Sequence, residues 1–183
     1  MPPPTVKTIR QIIFYQYAKI ISESSGMGKK NYGMIMSIYK KLCNDTMSWS
    51  SSVREWACER EHGTECIYCG ALDKLTTDHI LPRSSGGEDI PDNVVSVCKS
   101  CNSSKGSKGL YEWRGLDAKD DHHRIAEGKY LKYLYSLHDK QGTLNTEVNT
   151  MCPLCTLEEK CIKGGHENKL TVYCIEGCFL KTS

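Results

Sequence analysis

The sequence predicts a mixed α+β fold dominated by helices, and three observations carry that prediction. Apolar residues recur at helix spacing before residue 60 and after residue 120, two short apolar runs at 75–81 and 94–97 are bounded by turn residues, and cysteines gather in two separate segments. The chain of 183 residues is 39% hydrophobic with a formal net charge of +2, which suits one compact body with appended modules.

The first region, 1–61, reads as helical. Ile9, Ile13, Tyr17 and Ile20 form one helix-spaced stripe, and Tyr32, Ile35, Met36, Tyr39 and Leu42 form a second; both are expected to be core. Between them, SSGMGKKNYG is turn-rich. Its Gly-x-Gly-Lys lacks both the spacing and the following Ser or Thr of a nucleotide-binding loop, so it is expected to be a plain connection. Ser52 and Glu55 make a Ser-x-x-Glu capping box, which predicts a third helix through Trp56. Trp49 and Trp56 are expected in the core, and Cys43 and Cys58 read as ordinary buried thiols.

The next region, 62–115, holds the most informative residues. Cys66 with Cys69, and Cys98 with Cys101, are two Cys-x-x-Cys pairs able to converge on one tetrahedral zinc. Four thiolates leave such a metal no open position, so it would staple the fold and do no chemistry. Between the pairs stand Asp78 and His79, then Asn93 fourteen residues after the histidine, then Asn102 nine residues further on. The runs 75–81 and 94–97, separated by Pro, Gly and Asp, read as a hairpin. A helix is expected from near Lys99, and its phase puts Asn102, Lys105 and Gly109 near one another, so that Asn102 can face back toward the strand that carries Asp78 and His79.

Asp-His, then Asn, then Cys-Asn-x-x-Lys-Gly resembles the HNH endonuclease family, whose ββα-metal fold is often buttressed by a four-cysteine zinc. The resemblance covers about 45 residues, and Asn102 stands where many members carry histidine, a variant the family also uses. It implies that Asp78 and Asn102 hold Mg²⁺ or Mn²⁺ as hard oxygen ligands. It implies that His79 is the general base, since an imidazole of intrinsic pKa about 6.5 can be neutral at physiological pH. Asn93 would brace the loop that aims His79, and the products would carry 5′-phosphate and 3′-hydroxyl ends. The competing structural reading makes these residues turn caps inside a zinc ribbon.

The implied substrate is DNA, and Arg83, Lys99, Lys105 and Lys108, with Arg114, are candidates for contacting phosphates beside the cut. Solvated surface cations are the plain alternative. Residues 61–110 hold seven acids against five Lys and Arg, so further grip is expected from 1–60, where nine Lys and Arg face four Asp and Glu.

In the third region, 116–147, GLDAKDDHHR reads as a solvated acidic linker in which adjacent His122 and His123 point apart. A helix is expected over 124–140, burying Ile125, Leu131, Leu134 and Leu137. The last region, 148–183, reads as a zinc-ribbon-like module in which Cys152, Cys155, Cys174 and Cys178 hold a second structural Zn²⁺. Cys161 and His166 are alternative ligands, and an iron–sulfur cluster through Cys152, Cys155, Cys161 and a later cysteine is a competing assignment.

The start MPPPTVKTIR lacks an apolar signal core, and no apolar run approaches the roughly 18 residues of a membrane span. Eleven cysteines at metal-like spacing call for a reducing compartment, so a cytoplasmic protein with no membrane partner is expected. One HNH site cuts one strand; cutting both strands of a palindrome calls for a homodimer. The alternative function is a catalytically inactive, zinc-stapled nucleic-acid-binding or adaptor protein.

Overall fold

Thr8 starts the first helix, its hydroxyl accepting from Gln11 N while Gln11 Oε1 accepts from Thr8 N, a reciprocal cap that satisfies two otherwise orphaned donors. The structure, a computed structural model, describes residues 2–28, 31–48, 64–115, 121–147 and 172–180, without the side chains of 121–123. The helix expected after Ser52, Trp49, Trp56, Cys58, Lys29, Lys30, the His122 and His123 side chains, and Cys152, Cys155, Cys161 and His166 lie outside the described residues.

Chain contacts divide the molecule into two units. One is drawn from Met1–Ser51 and Leu134–Cys178, the other from Ser52–Tyr133, so that helix α5 (Asp121–Lys140) contributes to both. In the first unit, α1 (Ile9–Ser24) is the central element. All four residues of its predicted stripe are buried, and so are Ile12, Phe14, Tyr15 and Ala18, so the helix is covered on more than one face. Asn31 caps α2 (Tyr32–Cys43) by accepting from Met34 N at 3.1 Å, and α2 buries Ile35, Ile38, Tyr39 and Leu42. Tyr32 is exposed instead, because it occupies the first turn, and Cys43 is exposed in the last turn rather than buried.

Also in this unit, His138 of α5 is fully buried. Its Nδ1 lies 2.8 Å from Thr143 Oγ1 and its Nε2 2.9 Å from the carbonyl of Ile175 in α6 (Val172–Gly177). Burial pushes its pKa down to about 4, so the ring is neutral, with one nitrogen donating and the other accepting. The stretch 172–177, within the segment expected to form a zinc-ribbon-like module, is helical, with Cys174 buried inside it and Cys178 just beyond.

In the second unit, β1 (Leu75–His79) and β2 (Val94–Cys98) pair antiparallel, with Leu75 opposite Cys98 and His79 opposite Val94. A lone two-stranded hairpin is marginal in water, so its apolar face needs cover. Helix α3 (Lys99–Lys105) packs on both strands, α4 (Leu110–Arg114) follows, and the start of α5 adds Tyr130 and Tyr133. Tyr111 Oη donates to Glu127 Oε1 at 3.0 Å, and Lys129 Nζ donates to Val94 O at 3.2 Å. The stripe on α5 differs in part from the expected one: Leu131 and Leu134 are buried, whereas Ile125 and Leu137 are half-buried and Ala126, Tyr130 and Tyr133 take up core positions. Tyrosine bodies bury as much apolar surface as leucines and keep an oxygen for the loop.

Candidate active site and zinc centre

The two cysteine pairs meet. The sulfurs of Cys66, Cys69, Cys98 and Cys101 all lie within 4.8 Å of one another, and Cys69 Sγ is 3.8 Å from Cys98 Sγ. A zinc tetrathiolate with bonds of about 2.3 Å has edges of about 3.8 Å, so the donor set fits Zn²⁺. Cys98 is the cap residue of α3, where Cys101 N donates to its sulfur at 3.4 Å. That N–H is the main reason the Cys98 thiol is held down to about 7, while burial pushes Cys69 and Cys101 up. Arg114, a candidate phosphate contact, lies beside the cysteines: Nη2 is 3.8 Å from Cys101 Sγ and 3.4 Å from Tyr68 O, with the guanidinium 4.2 Å from the Trp113 ring centroid.

Asp78 is 6% exposed, on the face of β1 that meets α3. Tyr68 Oη donates to its Oδ2 at 3.0 Å, tying it to the turn between Cys66 and Cys69. Burial keeps the Tyr68 phenol well above its ordinary range, so it remains a donor. Lys105 corrects the sequence reading. It is fully buried, with Nζ 3.1 Å from Asp78 Oδ2 and 2.7 Å from His79 O, so it cannot meet a phosphate at the surface. The helix turns it to the packed side, against the strand, where an ammonium requires partners.

Asn102 reaches back to β1, donating from Nδ2 to Thr76 Oγ1 at 3.1 Å and to Thr77 O at 3.2 Å. The Thr77 carbonyl can only accept, which fixes the amide orientation and directs Oδ1 away from the strand. A carboxylate with about four acceptor sites and an amide oxygen are donors of the hard kind that Mg²⁺ or Mn²⁺ take.

His79 is at the end of β1, its side chain 14% exposed. Its Nε2 is 2.5 Å from Asp89 Oδ1, and Arg83 Nε lies 3.2 Å from the same nitrogen. Arg83 also pairs with Asp89 Oδ2. The loop between them is held by Asn93, which is wholly buried. Its Oδ1 accepts from Leu81 N at 2.8 Å, and its Nδ2 donates to Leu81 O at 3.1 Å and Glu88 O at 3.0 Å. The asparagine side chain thus continues the ladder where β1 ends. Gly87 is required beside it, since a Cβ there would lie 1.9 Å from Leu81 O. Tyr133 Oη accepts from Glu88 N at 2.9 Å and closes the loop from the helix side.

Of the remaining cations, Arg83, Lys99 and Lys108 are exposed. Sequence reasoning missed Tyr68, Asp89 and Tyr133: no spacing rule links a loop carboxylate to a histidine ten residues before it, and only the Cys-Ile-Tyr-Cys turn signals Tyr68.

This hairpin and helix, stapled by four cysteines, define a class. Residues 66–111 match the model of the HNH endonuclease family, and the four-cysteine cluster fits its zinc-bound form. That match spans about a quarter of the chain. A 53-residue stretch is 38% identical to the CRISPR-associated endonuclease Cas9 of Corynebacterium diphtheriae, covering 27% of this chain and 5% of that protein. No solved structure matches significantly. Among the described residues no helix is long and apolar enough to cross a membrane.

Proposed function

We propose that the chain is a metal-dependent endonuclease that hydrolyses DNA phosphodiester bonds through the domain at 66–111. One observation carries this reading: Asn102, on the helix, is bonded back to β1 at Thr76 and Thr77, beside Asp78 and His79. In this reading Asp78 and Asn102 are the ligands of a catalytic Mg²⁺ or Mn²⁺, which when bound offsets negative charge on the scissile phosphate and the departing oxygen. The neutral ring of His79 accepts a proton from water as the water oxygen attacks phosphorus. The P–O3′ bond breaks and the departing O3′ takes a proton from solvent water, leaving 5′-phosphate and 3′-hydroxyl ends. Lys105 and Tyr68 hold Asp78, and Asn93 holds the loop beyond His79. Cys66, Cys69, Cys98 and Cys101 hold a structural zinc, and Cys152, Cys155, Cys174 and Cys178 are the proposed second set. Arg83, Lys99 and Lys108 are the proposed DNA contacts.

The competing reading, an inactive zinc-stapled binding or adaptor protein, draws on the burial of Asp78, which Tyr68 and Lys105 hold as they would a structural ion pair. Supercoiled plasmid decides between them, incubated with zinc-loaded protein and EDTA, Mg²⁺ or Mn²⁺. Metal-dependent nicking or linearisation, lost in His79→Ala with zinc content intact, is the expected result. Binding without turnover would establish the adaptor reading. Nicks alone would indicate a single-strand cutter, and linear product in one encounter a dimer acting on both strands.

A further inference from the structure

The surroundings of His79 specify more than its presence in the site. A carboxylate has no proton to donate at neutral pH, so Asp89 Oδ1 at 2.5 Å from His79 Nε2 requires that this nitrogen carry the hydrogen. A lone pair on Nε2 would instead face a lone pair on Asp89. Arg83 Nε–H is aimed at the same nitrogen from 3.2 Å; one ring nitrogen cannot both accept from Arg83 and donate to Asp89, and the much shorter Asp89 contact places the hydrogen on Nε2, leaving the guanidinium to pair with the other Asp89 oxygen. In the neutral ring the free lone pair is therefore on Nδ1.

We propose that Asp89 is a positioning residue for His79, holding the Nε2–H tautomer and the ring plane so that Nδ1 receives the proton from water, with Arg83 tethering Asp89. This rests on the reading of His79 as general base. The arrangement follows the logic by which a base is oriented by a third group: the carboxylate fixes tautomer and orientation and stabilises the imidazolium once the proton arrives. The fold keeps Asp89 in place through its neighbour, since Glu88 is gripped by Asn93 Nδ2 at its carbonyl and by Tyr133 Oη at its N–H. Asp89 itself is exposed, so its role is not that of a core residue. Its carboxyl is held below the usual range, first by the His79 bond and then by Arg83, in keeping with an ionised acceptor. The assignment also changes the view of Arg83, which serves the base directly whether or not its remaining donors meet DNA.

The test uses the full zinc-loaded chain and the variants Asp89→Ala, Asp89→Asn and Asp89→Glu. Nitrogen-15 NMR of His79, assigned by its loss in His79→Ala and recorded where the ring is neutral, reads the tautomer without reference to activity. Wild type is expected as the Nε2–H form. Asp89→Ala and Asp89→Asn are expected to shift toward a mixture, with the single-turnover cleavage constant at saturating protein falling about tenfold or more and partial rescue by Asp89→Glu. An unchanged tautomer in Asp89→Ala, or an unchanged cleavage constant, would overturn the proposal. If the wild type itself does not cleave, the nuclease reading falls, and the tautomer comparison still decides whether Asp89 sets the ring.

Discussion

The Lys105 ammonium lies 3.1 Å from Asp78 Oδ2, with the lysine side chain wholly buried and that of Asp78 7% exposed. A pair this dry is costly to break from one side, because the partner is left as an uncompensated charge. Lys105→Ala is expected to destabilise the protein by about 3–5 kcal/mol in urea denaturation. The salt dependence of DNA binding should stay as in wild type, which separates this role from a phosphate contact.

Asn93 makes three side-chain bonds, all to backbone groups at the end of β1 and in the loop after it. Asn93→Ala would strand these groups, at a cost of about 2–4 kcal/mol. Gly87→Ala should have the same effect by sterics alone, since Leu81 O occupies the space of its Cβ. Thermal denaturation measures the stability, and a cleavage loss larger than in other equally destabilised variants would show the loop's effect on His79.

The four-cysteine centre predicts one tightly held zinc in the second unit. Cys66→Ser or Cys98→Ser should release it, measured by elemental analysis, and should remove tertiary near-ultraviolet signal, because a two-stranded hairpin has little stability of its own. A protein that kept its tertiary signal after metal loss would contradict the staple role.

Lys99 is exposed at the start of the motif helix and Lys108 in the loop after it, and α2 presents exposed Lys40 and Lys41. If these meet phosphates, each removed contact flattens the slope of log affinity against log salt by about 0.9 on duplex DNA. Lys99→Ala and Lys108→Ala report on the domain, and glutamate at positions 29, 30, 40 and 41 reports on the N-terminal basic region. An unchanged slope would move the grip elsewhere.

His138 links Thr143 and Ile175 through its two ring nitrogens. His138→Ala removes both bonds and opens a void in the first unit, for an expected loss of about 2–4 kcal/mol in chemical denaturation. Plasmid cleavage at a temperature where the variant is folded should be unaffected, since His79 and its partners belong to the other unit.

Much of the zinc centre and the hairpin was legible in the sequence, for identifiable reasons. Cysteine pairs two residues apart constrain a turn whatever surrounds them, so Cys66, Cys69, Cys98 and Cys101 announced their convergence. Val94–Cys98 runs largely apolar, Leu75, Ile80 and Leu81 frame the other strand between turn residues, and the helix beginning at Lys99 follows from the knuckle at Cys98. Asn93 and Asn102 stand out by order and spacing, and the structure shows the backbone and threonine groups that their amides bond. The orientation of Asn102 toward β1 follows from helical phase, which is a local property.

Other features depended on what packs against what. Lys105 and Lys108 look alike in sequence, yet one is buried on Asp78 and the other solvated, because only the first faces β1. The expected stripe on α5 went astray at Ile125 and Leu137, where the neighbouring elements leave the surface half-open and tyrosines reach the core instead. Residue types and spacing along the chain therefore determined the chemistry available: four thiols that can hold a metal, and the carboxylate, imidazole and amides of Asp78, His79 and the two asparagines as the proposed site. The tertiary structure alone decided which groups those atoms touch. Asp89 meets His79 across a ten-residue loop, and Tyr68 and Lys105 meet Asp78 from separate elements, because such contacts depend on burial and direction in space, which periodicity along a chain does not encode.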